Sequence, residues 1–403
     1  MTKLPLQGVL VADFSQGVAG PYCAMLMGDL GAEVVKVEPP RGDWIRMVGR
    51  KVEAGMSPTY ISMNRNKKAF CLQMKDPGGL EAARRLARKS DVVVESFRPG
   101  VMKRFGLDYE TLSGETPQMV YASVTGFGNS GPYVDLPGAD SVIQAMGGIM
   151  SINGEAGGDP LRFGMFMVDM ITGMSAYQGL LAALLGRERG GGGQYLSVSL
   201  LDAILSFQAP PLTEYLMYGA LPERNGNVNS YVAPSGVFKT RDSFLMFTTL
   251  DHQWERGAKA LGLESLVNDP RYVSNDARLA NRDSLLEMVR EKLAGRTTDQ
   301  WLEVLRKHDI LCAPINDYEQ VVSDPQVLAN GSLGTLDHPV FGGMPLIRHP
   351  VRFGGFPVEY TPAPVLGEHS REVLTGLLGY SAEEAERMIE TGVATQAEEA
   401  AAS

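Results

Sequence analysis

The first 125 residues alternate short apolar runs with helical patterns. The apolar runs are typical of buried strands and cover residues 8–14, 33–38, 68–75, 92–97 and 119–125. Helical patterns lie at 21–30 and 76–89, where Pro21 and Pro77 suit a first helical turn and Gly31 suits a helix end. Because strands that alternate with helices form parallel sheets, the sequence predicts an α/β fold with a doubly wound, mainly parallel, Rossmann-like sheet.

The rest of the pattern predicts a second, smaller domain. Residues 1–207 are expected to form the first part of the large domain, and three prolines (Pro210, Pro211 and Pro222) mark a linker at 208–225. A strand pair at 237–249 and helices at about 252–261, 281–294 and 298–308 predict a small α+β domain over 226–325. Residues 326–403 are expected to be a linker that returns to the large domain and holds a last helix at about 381–391.

Composition narrows the possible partners. The net charge of -10 and the pI of about 5.2 argue against a nucleic-acid or anionic-membrane surface. No signal peptide is recognised and no apolar run approaches a membrane span, so no membrane partner is expected and a cytoplasmic location is predicted. The three cysteines and five histidines lack metal-ligand spacing, so no metal site is predicted.

One carboxylate stands inside an apolar stretch in the middle of the chain. Asp169 is preceded by Met165–Val168 and followed by Met170 and Ile171, and a helical pattern continues behind it. A carboxylate here is costly unless it is hydrogen-bonded or meets a ligand. Two interpretations remain open: Asp169 caps the helix, or it is a catalytic carboxylate held at a helix N-terminus. No histidine lies near it in sequence, which disfavours triad hydrolysis.

Two glycine-rich turns are candidates for a nucleotide site. The turn at 15–21 lies between a strand and a helix, so it suits either an anion or a plain tight connection. The segment Gly126-Phe-Gly-Asn-Ser-Gly131 matches G-x-G-x-x-G, but Pro132 and a polar loop follow where a helix should begin. We therefore reject a dinucleotide fingerprint there. Walker A and G-x-S-x-G motifs are absent from the sequence.

The order of short motifs along nearly the whole chain resembles the class III CoA-transferases, which include formyl-CoA transferase and carnitine CoA-transferase. The motifs that carry the resemblance are Val11-Ala-Asp-Phe14, Ala19-Gly-Pro21, Gly31-Ala-Glu-Val-Val-Lys-Val-Glu-Pro39, Leu72-Gln-Met-Lys75, Val94-Glu-Ser-Phe-Arg-Pro-Gly100, Ser123-Val-Thr-Gly-Phe-Gly128, Val168-Asp-Met-Ile-Thr-Gly173, Gly193-Gln194, Val198-Ser-Leu-Leu-Asp-Ala203 and Leu366-Gly-Glu-His369. Each motif alone is weak, whereas the set in this order is specific. The resemblance favours Asp169 as the catalytic residue.

The resemblance implies that CoA moves from an acyl-CoA to a carboxylic acid through an anhydride and a thioester of Asp169. It implies acyl-CoA and a small carboxylic acid as substrates, no tightly bound cofactor, and a homodimer of interlocked subunits. The CoA contacts that it implies are Val18, Ala19, Leu72, Gln73, Met74, Lys75, Ser96, Phe97, Arg98 and Arg104. Independently, Lys75 and Arg104 are cations beside strand ends, which suits either a phosphate clamp or a solvated surface.

The chain departs from the family pattern at several positions. Formyl-CoA transferase has an arginine where Pro39 stands, and Arg41 is a candidate substitute. No glycine run occurs between Gly226 and Gly262, so oxalate specificity is not supported. The racemase branch has a histidine at the position of Ala139, and Asp140 follows it as a possible supporting residue. An acyl-CoA racemase or isomerase, and a non-catalytic CoA-binding protein, remain the alternatives.

Overall fold

The computed structural model describes residues 4–50 and 53–397. The strands in these residues are β1 Leu10–Asp13, β2 Glu33–Glu38, β3 Lys67–Leu72, β4 Val92–Glu95, β5 Val120–Thr125, β6 Gln194–Ser199, β7 Ser235–Lys239, β8 Phe244–Thr248, β9 Leu311–Pro314, β10 Leu333–His338, β11 Gly342–Ile347 and β12 Ala394–Thr395. The first ten helices are α1 Ala19–Asp29, α2 Pro58–Met63, α3 Pro77–Lys89, α4 Val101–Phe105, α5 Tyr109–Glu115, α6 Asp140–Met146, α7 Ile149–Ile152, α8 Met167–Gly186, α9 Leu200–Phe207 and α10 Ala209–Tyr218. The remaining helices are α11 Trp254–Leu261, α12 Asn275–Ala280, α13 Arg282–Ala294, α14 Thr298–Lys307, α15 Tyr318–Ser323, α16 Pro325–Asn330, α17 Ser370–Glu372 and α18 Ala382–Glu390.

A seven-stranded sheet organises the larger part of the chain. Its order is β12-β3-β2-β1-β4-β5-β6, and every pairing is parallel except that of β12 with β3. The direction of strand addition reverses between β1 and β4, and ligands of open parallel sheets bind at the carboxyl ends of the strands at such a point. The prediction of an α/β fold with a mainly parallel sheet is confirmed.

Local signals explain why the helices begin and end where they do. Asp76 caps α3 and accepts a hydrogen bond from the Gly78 amide at 2.8 Å, as the sequence predicts. Apolar residues of α3, including Leu86, are buried with Val93 of β4 and Tyr121 of β5. Two adjacent strands thus pack one face against the same helix, and this apolar layer holds the carboxyl ends of β4 and β5 in place.

The described chain divides into two compact units. Of the described residues, one unit contains 4–50, 53–149, 162–219 and 330–397, and the other contains 150–161 and 220–329. The second unit holds the antiparallel sheet β7-β8-β9, whose core includes Phe247, Trp254 and Leu285.

Two segments predicted as linkers contain regular structure. Residues 209–218 of the predicted linker form α10, because Pro210 and Pro211 lie in its first turn, where prolines are compatible with a helix. After residue 330 the chain forms the antiparallel hairpin β10-β11, and β12 then pairs with β3 at the edge of the large sheet.

Helix α8 packs closely against α1. A Cβ atom placed on Gly173 would lie 2.6 Å from the carbonyl oxygen of Ala19, so a glycine is required at this contact. By length and composition alone, the segment from Met167 to Gly191 is apolar enough to cross a membrane, contrary to our expectation that no run approached a span. Core helices of soluble proteins meet the same criterion, and Val168, Ala176 and Leu180 of α8 are fully buried.

Candidate active site

A cavity of about 470 Å³ opens at the carboxyl ends of β1, β4 and β5, where the sheet order reverses. The segments that follow these strands supply Gln16, Ser96 and Gly126, and the N-terminus of α8 supplies Asp169. All of its lining residues belong to the larger unit. The turn at 15–21, for which an anion site and a plain connection were both open, therefore forms part of this cavity.

Asp169 is not the cap of α8. The helix begins at Met167, and Phe166, at the cap position, makes no side-chain cap bond. Instead, the Asp140 carboxylate accepts hydrogen bonds from the amides of Val168 at 2.8 Å and Asp169 at 3.2 Å. A carboxylate from α6 thus performs the capping role that a local residue usually has. The capping interpretation of Asp169 is wrong, and its carboxyl group is left available for another role.

The environment of the Asp169 carboxyl favours its protonated form. Burial in the cavity wall, followed by repulsion from the Asp140 carboxylate, raises the pKa of Asp169 from 3.8 to about 7. None of the described residues donates a hydrogen bond to this carboxyl group, so nothing local stabilises its charge. When it ionises it is a poorly stabilised and therefore reactive anion, and a strongly perturbed carboxylate in a cleft is typical of catalytic sites.

The two amides at the start of α8 are already occupied. Because Asp140 accepts from the amides of both Val168 and Asp169, neither is free to bind an oxyanion in this arrangement. Amides at a helix N-terminus often stabilise oxyanions, but these two are not available for that role in this arrangement. Asp140 is itself positioned by Gln144, whose side-chain amide donates to Asp140 Oδ1 at 2.7 Å.

A buried charge network supports the loop that follows β1. The Gly17 amide donates to Asp43 Oδ1 at 3.1 Å, and Asp43 pairs with Lys36 at 3.0 Å. Next to this pair, Lys67 Nζ lies 2.9 Å from Asp13 Oδ2, with both side chains fully buried. Burial alone would raise the pKa of Asp13, but the charges of Lys67 and Lys36 outweigh it and hold that pKa below its usual value. The loop is therefore tied to the sheet by paired charges.

Comparison with known proteins identifies the family. Residues 6–370 match the family described as CoA-transferase family III. The chain belongs to CoA-transferase family III. It is 36% identical over 397 residues to the succinyl-CoA:glutarate CoA-transferase of Mus musculus, which covers 98% of this chain and 91% of that protein. It is also 36% identical over 372 residues to the acetyl-CoA:oxalate CoA-transferase of Acetobacter aceti, and this match covers 91% of this chain and 94% of that protein.

A solved structure of the family shares the fold. The CAIB/BAIF family protein from Brucella suis superposes with a TM-score of 0.84 at 34% identity, covering 93% of this chain and 100% of that one. The protein is therefore a class III CoA-transferase, an enzyme that moves CoA between an acyl-CoA and a carboxylic acid. The recognition made from the order of its motifs is confirmed.

The structure brings only part of the predicted CoA-transferase site into the cavity. Six predicted residues line it: Val18, Ala19, Ser96, Phe97, Asp140 and Asp169. Seven others lie outside its lining: Arg41, Leu72, Gln73, Met74, Lys75, Arg98 and Arg104. Leu72 is a buried core residue with 1% of its surface exposed, so its side chain is not available to a ligand. Ser96 also joins two loops, because its hydroxyl donates to the Gln16 carbonyl and accepts from the Gln16 amide.

Other cavity residues were missed by the sequence interpretation. Gln16 and Trp44 follow β1 and β2, and their position after parallel strands was the available signal. Gly126 belongs to the G-x-G-x-x-G match and to one family motif, but neither predicts that it lines a cavity. A Cβ atom on it would lie 2.8 Å from the Gly138 backbone, so close packing of two loops explains this glycine. Arg162 also lines the cavity and had no distinguishing sequence pattern.

Metal ligands are not grouped in the part of the chain that the structure describes. No cluster of three His, Cys, Asp or Glu side chains there has the arrangement needed to hold a metal ion. The charged side chains that line the described cavity are the two carboxylates of Asp140 and Asp169 and the guanidinium group of Arg162.

Proposed function

We propose that Asp169 is the nucleophile of this CoA-transferase and that CoA passes through a covalent enzyme thioester. The Asp169 carboxylate attacks the donor thioester, forming a mixed anhydride and releasing CoA thiolate. The thiolate attacks the aspartyl carbonyl, which forms the aspartyl-CoA thioester and releases the donor acid. The acceptor carboxylate then attacks this thioester, forming a second anhydride and CoA thiolate. The thiolate finally attacks the acceptor carbonyl, giving the new acyl-CoA and restoring Asp169.

The observation that carries this proposal is the unpartnered Asp169 carboxyl in the cavity at the switch point of the sheet. Asp140 caps α8 in its place, and burial raises the pKa of Asp169 to about 7. A carboxylate of this basicity is a better nucleophile than an ordinary one and is still substantially ionised at neutral pH. Substrates that fill the cavity would displace water, which protects the anhydride and thioester from hydrolysis.

We further propose that the CoA phosphates bind cations along the carboxyl edge of the sheet. Lys75 follows β3, Arg98 follows β4 and Arg104 lies in α4, and all three side chains are exposed. None of the three, nor Arg41, forms an ion pair with a residue that the structure describes. Exposed cations that have no ion-pair partner among the described residues suit the phosphates of CoA. The relatives named above act on glutarate and oxalate, and we expect a small carboxylic acid as the acceptor here.

A homodimer is the assembly that we expect for this enzyme. In α10, Leu216, Met217 and Tyr218 have 74%, 65% and 73% of their surface exposed. Consecutive apolar residues on an exposed helix are typical of an interface. Light scattering after size-exclusion chromatography measures the mass, and a monomer at micromolar concentration would contradict this assembly.

Trapping of the intermediate tests the proposed chemistry. The enzyme is incubated with an acyl-CoA, quenched with hydroxylamine, and digested for peptide mass spectrometry. We expect a hydroxamate on Asp169, no modification in Asp169→Asn, and loss of transfer in that variant. Asp202 occupies the same third position of α9 that Asp169 occupies in α8, but does not line the cavity. Asp202→Asn should therefore keep both labelling and activity. Full activity in Asp169→Asn, or an unmodified Asp169 during turnover, would refute the mechanism.

A further inference from the structure

The charge balance of the cavity presents a problem for an anionic acceptor. Asp140 and Asp169 are the two carboxylates among the described residues that line it. When CoA is attached to Asp169 that residue is neutral, but the Asp140 carboxylate remains. Like charges that share one cavity repel each other, and the repulsion is stronger there than in bulk water because the surrounding protein has a lower dielectric constant. A carboxylic acid that must approach Asp169 as an anion therefore needs a compensating positive charge nearby.

Arg162 is the single cation among the described residues that line this cavity. It lies in the segment that leads into α8 and is exposed. Its guanidinium makes one long hydrogen bond, 3.4 Å from Nη1 to the carbonyl oxygen of its neighbour Phe163. It forms no ion pair with a described residue. Since a guanidinium has five N–H donors arranged to bind a carboxylate through two bonds, most of its binding capacity is unused.

We propose that Arg162 selects dicarboxylic acids by binding the carboxylate that does not react. A guanidinium bound to the attacking carboxylate would withdraw charge from it and slow the attack on the thioester. Bound to the distal carboxylate, the same group offsets the repulsion from Asp140 and orients the other end toward Asp169. The substrate class is thus a short dicarboxylic acid and its CoA monothioester. This inference rests on the proposed function of Asp169.

Matched acceptors and variants test the role of Arg162. The acceptors are glutarate and monomethyl glutarate, which differ in the distal charge, and the donor is butyryl-CoA, which has no distal carboxylate. In Arg162→Gln we expect kcat/KM to fall 10- to 100-fold for glutarate and to change less than 3-fold for monomethyl glutarate, because one charge-assisted contact is lost. For glutarate, kcat/KM of Arg162→Lys should lie between the values of the wild type and Arg162→Gln, since lysine keeps the positive charge but cannot form the two parallel hydrogen bonds of a guanidinium. Arg189→Gln is the control, because Arg189 is exposed and lies outside the cavity, and it should leave kcat/KM unchanged for both acceptors.

The outcomes separate this inference from the proposed mechanism. Trapping of Asp169 with butyryl-CoA alone is measured for each variant. One outcome is that Arg162→Gln is labelled like the wild type while kcat/KM falls equally for both acceptors or for neither. In that case the selection role of Arg162 is wrong, and the assignment of Asp169 as nucleophile is unaffected. A wild type that does not prefer glutarate to monomethyl glutarate also overturns the inference. If neither butyryl-CoA nor glutaryl-CoA labels Asp169 of the wild type, the mechanism itself has failed.

Discussion

Replacing Asp169 by asparagine should stabilise the protein at alkaline pH while abolishing transfer. Because the pKa of Asp169 is raised in the folded state, the native protein retains a proton that the unfolded chain releases between pH 3.8 and about 7. Ionised Asp169 therefore destabilises the fold. The cost is absent below pH 3.8, grows as the pH rises and is complete above about pH 7. Asparagine has the same shape and carries no charge, so it removes this cost.

The size of the effect follows from the pKa. The pKa of Asp169 lies about three units above that of an ordinary aspartate, and each unit corresponds to about 1.4 kcal/mol, which gives an upper bound of about 4 kcal/mol. Water in the open cavity screens part of the charge, so we expect a gain in the free energy of unfolding of about 1–3 kcal/mol at pH 8. At pH 4 the variant and the wild type should be nearly equal.

Urea unfolding of both proteins at pH 4, 6 and 8, at equal protein concentration, measures this gain. Asp283→Asn is the control, because the Asp283 side chain is 98% exposed and its replacement should give the same small difference at each pH. A gain for Asp169→Asn that does not vary with pH, or a loss of stability at pH 8, would show that Asp169 is not the buried, destabilising carboxyl that the structure describes.

Four further predictions concern the surroundings of this site. In the wild type, kcat/KM for acyl-CoA should rise with pH around an apparent pKa near 7, as Asp169 ionises. Asp140→Ala should move this rise to lower pH, because the repulsion is lost, and should lower the free energy of unfolding by about 1–3 kcal/mol, because two helix amides lose their acceptor. Lys67→Met leaves a buried carboxylate without its partner and should cost about 3–5 kcal/mol in urea unfolding. Gly173→Ala should cost about 1–3 kcal/mol, because the added Cβ meets a backbone oxygen, whereas Gly179→Ala in the same helix has 3.8 Å of clearance and should not destabilise.

Each of these measurements has a contrary outcome. If kcat/KM does not change between pH 5 and 8, the apparent pKa near 7 does not belong to Asp169. If the profile of Asp140→Ala coincides with that of the wild type, Asp140 does not raise the pKa of Asp169 by repulsion. Lys68→Met, at a neighbouring lysine whose side chain is 34% exposed, is the control for Lys67→Met and should cost at most about 1 kcal/mol. If Lys67→Met and Lys68→Met lower the free energy of unfolding equally, burial of the lysine does not set the loss. If Gly173→Ala and Gly179→Ala lower it equally, the close contact at Gly173 does not set the loss.

Much of the architecture follows from local pattern. Residues 33–38 form β2 as predicted, and α3 begins after Asp76 and ends at Lys89, because strand burial and helix caps depend on residues close in sequence. The helix α10 was not predicted, because proline permits a helix start as well as a linker and the sequence pattern around Pro210 and Pro211 does not distinguish the two. The order of motifs was sufficient to place the chain in its family.

Local pattern and motif order were sufficient to predict the strands β1 to β5, the pair β7 and β8, the family, the candidate nucleophile, and the helices α1, α3, α8, α11, α13, α14 and α18. Each of these depends on residues adjacent in the chain or on their order along it. The strands β9 to β12 and the helix α10 were not predicted. The packing of α6 against α8 places Asp140, 29 residues from Asp169 in sequence, at the start of α8, where it caps the helix and leaves the Asp169 carboxyl group without a hydrogen-bond donor among the described residues. The tertiary structure also decided that Arg162 stands in the same cavity. The physical reason is that capping across helices and the charge balance of a cavity arise from contacts through space, which helix packing sets and no local pattern records.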